Sequence, residues 1–456
     1  MSYRDASNDV MLAQQAERES NARTYPRHLP LAIAEARGVT VTDMDGEQYY
    51  DCLAGAGTLA LGHNHPVVTE AMERVLENDR AIHTLDITAP AKERFVDELM
   101  ASLPDEFAET AKVQFCSPAG TDAVEAALKL VKSATGNGSI LGFQGAYHGM
   151  TAGALSLLGD AETKDVPGVL ADVHHLPYPD DYRQPFGVEG EDGHRLASTY
   201  VENLLADPKS GITDPAGMIL EPVQGEGGAI PAPDAWLREM RRITREHDVP
   251  LILDEVQTGL GRTGETYAFE HAGIVPDVLV LSKAFGGGLP LSVVVYDESL
   301  DEWGPGAHAG TFRGNQLAMA AGEATIDYVR KHDLPAHAAE MGARLRKHLE
   351  SVAHLDAVGD VRGRGLMLGV EFVDPDAPWS GAGPHAPDGD LAAAVQEACF
   401  ERGLVLELGG RESATARFLP PLVVTREQVD DIGRIFAEAV RDVVQTDDSL
   451  TVEASP

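Results

Sequence analysis

Apolar positions recur along this chain in two periods, and the change from one to the other marks out its elements. Residues 39–51 alternate apolar and polar, with Asp45-Gly46 between the two halves. That dipeptide favours a short hairpin turn, so two antiparallel strands are predicted there. Residues 53–64 are rich in Gly and Ala and read as a loop. Helical spacing, with apolar residues at i, i+3 and i+4, predicts helices over 67–78, 91–102, 121–134 and 235–247. Short apolar runs over 112–116, 218–221, 250–254 and 277–282 read as buried strands. Apolar strands that alternate with amphipathic helices require a parallel sheet covered on both faces, an α/β architecture. Beyond residue 315 the pattern predicts a long helix, then strands over 361–370 and 416–424. The segment 374–390 is rich in Pro, Gly and Asp and reads as a surface insertion.

The expected layout is an N-terminal segment over 1–60 that joins a small α+β domain, a large sheet domain over 61–315, the rest of the small domain over 316–445, and a frayed acidic tail over 446–456.

Charge narrows the function. The net charge is −37, from 73 acidic and 36 basic residues. A phosphate backbone would be repelled, which argues against nucleic acid as a partner, and no polybasic run points to a membrane surface. The acid is spread along the chain, as in Asp180-Asp181, and Arg is preferred to Lys. This reads as the solvated surface of a halophile, with an ordinary acidic cytosolic protein as the alternative. Cys52, Cys116 and Cys399 show neither disulfide nor zinc spacing. The first 21 residues are polar, with no apolar core of a signal peptide, and no long apolar run spans a membrane. A cytoplasmic enzyme is expected.

Candidate chemistry falls at the predicted strand ends, where open α/β sheets bind ligands. Lys283 follows the apolar run 277–282 and precedes three glycines. A half-buried lysine there has a lowered pKa and can form a Schiff base, although a surface lysine in a Gly-rich turn has the same pattern. Asp254 closes the run 250–254, where its charge needs a partner. A pyridinium nitrogen would be one, and capping of the next turn is the alternative. Gly120 and Thr121 open a strong helix whose N-terminal amides suit a phosphate or a simple cap. Tyr147, between Gly145 and Gly149, can lie flat on a planar ring or simply fill core. Glu221 and Glu226 flank a strand-end turn. Arg417 lies on a predicted strand stopped by Pro420-Pro421, placed either to grip a substrate carboxylate or to make a structural ion pair.

In their order these motifs resemble the class III (omega) aminotransferases, enzymes of pyridoxal-phosphate (PLP) fold type I, from Gly38 to Val440. The resemblance implies PLP as cofactor, Lys283 as the lysine that bonds it and shuttles the proton, and Asp254 as partner of the pyridine nitrogen. It implies Gln257 on the ring hydroxyl, Tyr147 stacked on the ring, and Gly120 with Thr121 on the phosphate. Thr311 would reach the phosphate of the other subunit, which makes a homodimer with shared sites the expected assembly. Glu226 and Arg417 would form a gate that opens for the carboxylate of 2-oxoglutarate. Within the class, Leu61-Gly-His-Asn-His65, His83-Thr-Leu-Asp86, Tyr147-His-Gly-Met-Thr151 and Gly310-Thr-Phe-Arg-Gly-Asn315 are similar to those of the diaminobutyrate–2-oxoglutarate aminotransferases. Ornithine aminotransferases carry Arg where Met150 stands, which counts against ornithine as donor. The implied reaction moves the 4-amino group of L-2,4-diaminobutyrate to 2-oxoglutarate and supplies ectoine or siderophore-type synthesis. A 4-aminobutyrate or acetylornithine donor, or a PLP-fold binding protein without turnover, are the alternatives.

Overall fold

The computed structural model describes residues 6–160 and 172–453. Its centre is a seven-stranded sheet in the order Ala111–Phe115, Val293–Asp297, Val278–Leu281, Leu251–Asp254, Pro215–Leu220, Ser139–Phe143, Val173–Leu176. The five strands from Val278–Leu281 to Val173–Leu176 pair in parallel. Val293–Asp297 runs antiparallel to both of its neighbours. Its link to Val278–Leu281 is only residues 282–292, too short for a helical crossover, so the chain turns back instead. The sheet is thus mainly parallel, as the alternating pattern predicted.

Apart from Asp254 at the end of its strand, the central strands are apolar because both faces are covered. Helix Gly120–Thr135 lays Ala123, Val124, Ala127, Leu130 and Val131 on one side. Helix Asp234–Glu246 buries Trp236, Leu237 and Met240 on the other, where Trp236 meets Phe143 edge-on.

Two smaller sheets gather the chain ends. The predicted hairpin forms as Thr40–Asp43 and Gln48–Asp51, with Ile33–Arg37 alongside, and Leu404–Val405 from the far end of the chain pairs in parallel with Gln48–Asp51. The other sheet holds Val358–Arg364, Met367–Asp374, Thr415–Phe418 and Glu407–Gly409, with Ala386–Pro387 added beside Met367–Asp374. The single strand expected over 361–370 is therefore an antiparallel pair. Gly363 and Gly365 both take positive φ there and turn the chain within that run. The strand expected over 416–424 stops at Phe418, just before Pro420-Pro421.

Helix Gln316–Lys331 matches the long helix predicted after residue 315. The last helix runs Arg426–Glu453, so the tail expected to fray is helical up to that residue, and 454–456 lie outside the described residues. The surface insertion is tied down: Arg183 donates to the carbonyls of Ala382 and His385 and forms a buried ion pair with Glu371. No helix among the described residues is long and apolar enough to cross a membrane.

Candidate active site

The carboxyl ends of the central strands open on one cavity of about 330 Å³, lined by Gly120, Thr121, Tyr147, Met150, Glu226, Asp254, Gln257 and Lys283, among others. Seven of the nine residues given a role from the sequence are in that lining. Arg417 joins them through Glu226. Thr311 does not: it lies in the exposed turn Thr311–Gly314.

Lys283 follows Val278–Leu281 and takes a left-handed backbone, φ 46°, which is costly for a side-chain-bearing residue. The Ser282 hydroxyl, donating to the Leu291 carbonyl at 2.8 Å, helps fix that turn. Burial pushes the Lys283 amine below the ordinary lysine range, while the Glu226 charge opposes the shift. A lysine so held exposes more of its neutral, nucleophilic form.

Asp254 ends Leu251–Asp254 with one oxygen on the Val256 amide, 3.0 Å, and the other 2.7 Å from His148 Nδ1. His148 is fully buried. Burial lowers its pKa, but the hydrogen bond and charge of Asp254 outweigh that, so the ring holds its proton more readily than free histidine. The His148 contact holds Asp254 in place in the cavity lining. Glu221 accepts from the amides of Tyr147 and Gly225, both 3.0 Å, and so fixes the loop that carries Tyr147. Burial raises its carboxyl to about 7, against the opposing charge of His148.

These residues fit a flat, phosphorylated pyridine aldehyde. The side-chain amide of Gln257 donates to the Ala56 carbonyl, and its Oε1 is buried with no partner, ready for a ring hydroxyl. Helix Gly120–Thr135 begins at the cavity and offers its first amides to a phosphate. A Cβ at Gly120 would lie 2.9 Å from Val256, and one at Gly149 2.4 Å from Thr121, so both glycines are required by close approach. Lys283 makes no hydrogen bond or ion pair among the described residues and is free to bond an aldehyde.

Arg417, behind Glu226, is buried, at 1% exposure. It bonds Glu226 two-pronged, 3.1 and 2.8 Å, and lies 2.9 Å from Glu407. Glu407 faces Arg417 directly in the antiparallel pairing of Glu407–Gly409 with Thr415–Phe418. Tyr25 donates its hydroxyl to Glu407 at 2.9 Å. Burial and the neighbouring Glu226 charge hold the Glu407 carboxyl above the usual carboxylate range, although Arg417 pulls it down. Glu226, by contrast, is held below that range: Arg417 and Lys283 outweigh its burial.

Sequence reasoning missed His148, Glu407 and Tyr25, and gave Glu221 no role. His148 sat inside a quoted motif and could have been found there. Glu407 and Tyr25 carry no local signal.

The model of the family described as "Aminotransferase class-III" matches residues 21–440. A diaminobutyrate–2-oxoglutarate aminotransferase of Rhizobium meliloti is 54% identical over 95% of this chain and 93% of its own length. The Haemophilus influenzae protein of the same name is 45% identical over 96% and 97%. Among solved structures, an amine transaminase from an uncultivated Pseudomonas species in its PLP-bound form has a TM-score of 0.82 at 27% identity, covering 93% of this chain and 98% of that one. Ornithine aminotransferase from Toxoplasma gondii has a TM-score of 0.78 at 26% identity, covering 96% and 95%.

Proposed function

The chain belongs to the class-III aminotransferases, and within that family we propose that it moves the 4-amino group of L-2,4-diaminobutyrate to 2-oxoglutarate, giving L-aspartate 4-semialdehyde and L-glutamate. Its cofactor is pyridoxal 5'-phosphate, which when bound supplies an aldehyde to take the amino group and a ring to draw electrons from the substrate carbon. The observation that carries the reading is the ion pair of Arg417 with Glu226, which lines the same cavity as Lys283.

Each residue has a task there. With the cofactor bound, Lys283 would be the residue that bonds it and, as a free amine, would carry the proton away from the substrate carbon. Asp254, held by His148, would be the partner of the ring nitrogen. Tyr147 would lie against the ring, Gln257 would hold its hydroxyl, and Gly120 with Thr121 its phosphate. When 2-oxoglutarate enters, Arg417 leaves Glu226 and grips the α-carboxylate with two charge-assisted bonds. When the diamino acid enters amine-first, Arg417 stays on Glu226 and no buried cation is left alone.

Met150 supports diaminobutyrate over ornithine. It is 56% exposed in the cavity wall, where ornithine enzymes carry an arginine. The cell-level reading is a cytoplasmic homodimer that serves siderophore-type or ectoine synthesis. The dimer is supported by an apolar patch around Thr311: Ile82, Leu85, Ile87 and Phe312 are all about half exposed or more.

A donor panel with 2-oxoglutarate tests the reaction. Diaminobutyrate is expected to give the best kcat/KM. Ornithine, one methylene longer, should be worse by about 10- to 200-fold, the range a pocket achieves for one methylene. A best value for ornithine or 4-aminobutyrate would overturn the donor assignment and leave the family intact.

A further inference from the structure

Glu221 is a buried acid in the cavity lining, yet the reaction gives it no task. It follows strand Pro215–Leu220 and leads into a short hairpin, Val223–Gln224 paired with Ile230–Pro231, whose turn carries Glu226. Its two oxygens have different partners. Oε1 accepts from the Tyr147 amide and Oε2 from the Gly225 amide, each at 3.0 Å. One carboxylate therefore joins the loop that carries Tyr147 to the residue before Glu226. The two segments meet elsewhere as well. Gln224 donates to the Gln144 carbonyl at 2.8 Å, and a Cβ on Gly227 would lie 2.7 Å from the Gly145 carbonyl oxygen, so they pass too close for a side chain there. On its other side, the Glu226 carbonyl accepts from the Gly410 amide at 2.8 Å. The main chain of Glu226 is thus held before and after, and its side chain, 34% exposed, is the part left to move.

We propose that Glu221 is a positioning residue that sets the Tyr147 loop and the Glu226 turn as one unit, so that the seat of the cofactor ring and the release of Arg417 to an incoming carboxylate depend on the same side chain. The inference rests on the proposed reaction and adds the residue that aligns its two halves. Two N–H groups that point at one side chain need two acceptor oxygens, which a carboxylate offers and an amide side chain does not. Bonds from amides to a carboxylate are among the stronger ones, and the Gly225 amide is buried, so it cannot turn to water instead. Exchange at Arg417 requires Glu226 to swing about a main chain that stays in place. If the turn drifted, Glu226 would follow the guanidinium and compete with the acceptor carboxylate. The amino donor leaves Arg417 on Glu226, so its binding asks less of the turn.

The test reads both segments in one variant. Glu221→Leu keeps the bulk of the side chain and removes both acceptors. Its dissociation constant for PLP is measured by absorbance, and kcat and KM for 2-oxoglutarate and for diaminobutyrate are taken separately on the PLP-loaded enzyme. Against wild type, the PLP dissociation constant and the KM for 2-oxoglutarate should each rise about tenfold, the scale of one lost bond to a charged group, while KM for diaminobutyrate changes less than about threefold. Glu221→Gln keeps one acceptor and turns an NH2 toward the other amide. It should move the same two quantities in the same direction by less than about tenfold, and it serves if Glu221→Leu does not fold. A change in PLP affinity alone would confine Glu221 to the Tyr147 loop, and a change in the 2-oxoglutarate KM alone would confine it to the Glu226 turn; either result overturns the single unit. An equal rise in KM for both substrates would reduce Glu221 to a general support of the fold. If wild type prefers another keto acid to 2-oxoglutarate, the functional reading fails by itself, and the same comparison with that acceptor decides the role of Glu221.

Discussion

On one wall of the cavity, the side chains proposed to meet the cofactor come from the ends of neighbouring strands in a single sheet. Lys283, Asp254 and Tyr147 follow apolar strands that are buried on both faces, and each is held by a contact that barely moves: the strained turn at Lys283, His148 against Asp254, Glu221 under the Tyr147 loop. The second wall is Glu226 in the cavity lining with Arg417, Glu407 and Tyr25 behind it, residues far apart or on separate strands that are joined by ion pairs and hydrogen bonds. The first wall does one thing in every turnover and is held by the backbone and by buried hydrogen bonds. The second must accept a diamino acid and a dicarboxylate in turn, so it is built from contacts that can exchange partners. The chemistry is placed by the backbone, and the choice of substrate by charges that can be re-paired.

Removing Lys283 is the severest way to test the first wall. Lys283→Ala is expected to lose the visible absorbance of the bound cofactor and to lower turnover by about four orders of magnitude or more, the scale on which a residue that acts covalently matters. Activity near wild type would break the assignment. A step smaller, Asp254→Asn should retain cofactor but cost about 10²- to 10³-fold in kcat, like other preorganised charge-stabilising groups. His148→Gln, which removes only the support behind Asp254, should cost about 10- to 100-fold, by analogy with outer-shell partners of metal ligands. If the histidine variant were as damaged as the aspartate variant, His148 would be doing more than orienting its neighbour.

The same division explains what could be read before the structure. Asp254 and Lys283 were visible because a charge that closes an apolar strand is locally anomalous. Gly120 was visible because it opens a strong helix with Thr121, whereas the close approach that leaves room only for glycine there and at Gly149 needed the structure. His148 was legible too, yet it was passed over as a spacer between Tyr147 and Gly149. Glu407 was not legible at all. In Leu406-Glu407-Leu408 it reads like an acid on an ordinary alternating strand, and only its register opposite Arg417 gives it a role. Tyr25 is more remote still, 382 positions from its partner. The hairpin within 358–374 was mistaken for one strand because its flanks are alike in composition, and the turn rests on two positive-φ glycines.

Thr311 puts the first wall to a subtler test, because its part in that wall would come from a second copy. With Thr311 in the exposed turn of its own chain, the expectation is that it completes the partner's phosphate site. Thr311→Ala should then weaken cofactor binding by about tenfold, the worth of one charge-assisted hydrogen bond. Heterodimers of one Thr311→Ala chain and one Lys283→Ala chain should show about half the wild-type activity at wild-type cofactor affinity, since one of the two composite sites would be intact. Weak cofactor binding in that heterodimer would place Thr311 in its own chain's site.

The smallest effect should separate the walls by salt. At a net charge of −37, the surface carries a negative potential that repels 2-oxoglutarate, which is doubly negative, and attracts diaminobutyrate, which is positive at neutral pH. Raising salt from about 0.1 M to about 1 M shortens the screening length from about 10 Å to about 3 Å. KM for 2-oxoglutarate should therefore fall and KM for diaminobutyrate rise, each by about two- to fivefold, a modest change because much of the field is already screened at the lower concentration. The first wall should not respond in kind: Asp254 and His148 are buried, and the screening of buried pairs is weak, so kcat should move little once both substrates saturate. The melting temperature should rise over the same range, because screening relieves self-repulsion in the compact state. A melting temperature indifferent to salt would favour an ordinary acidic surface over a halophilic one. KM values that shift in the same direction for both substrates would mean that salt acts on the fold as a whole, and that the exchangeable wall does not feel the surface field.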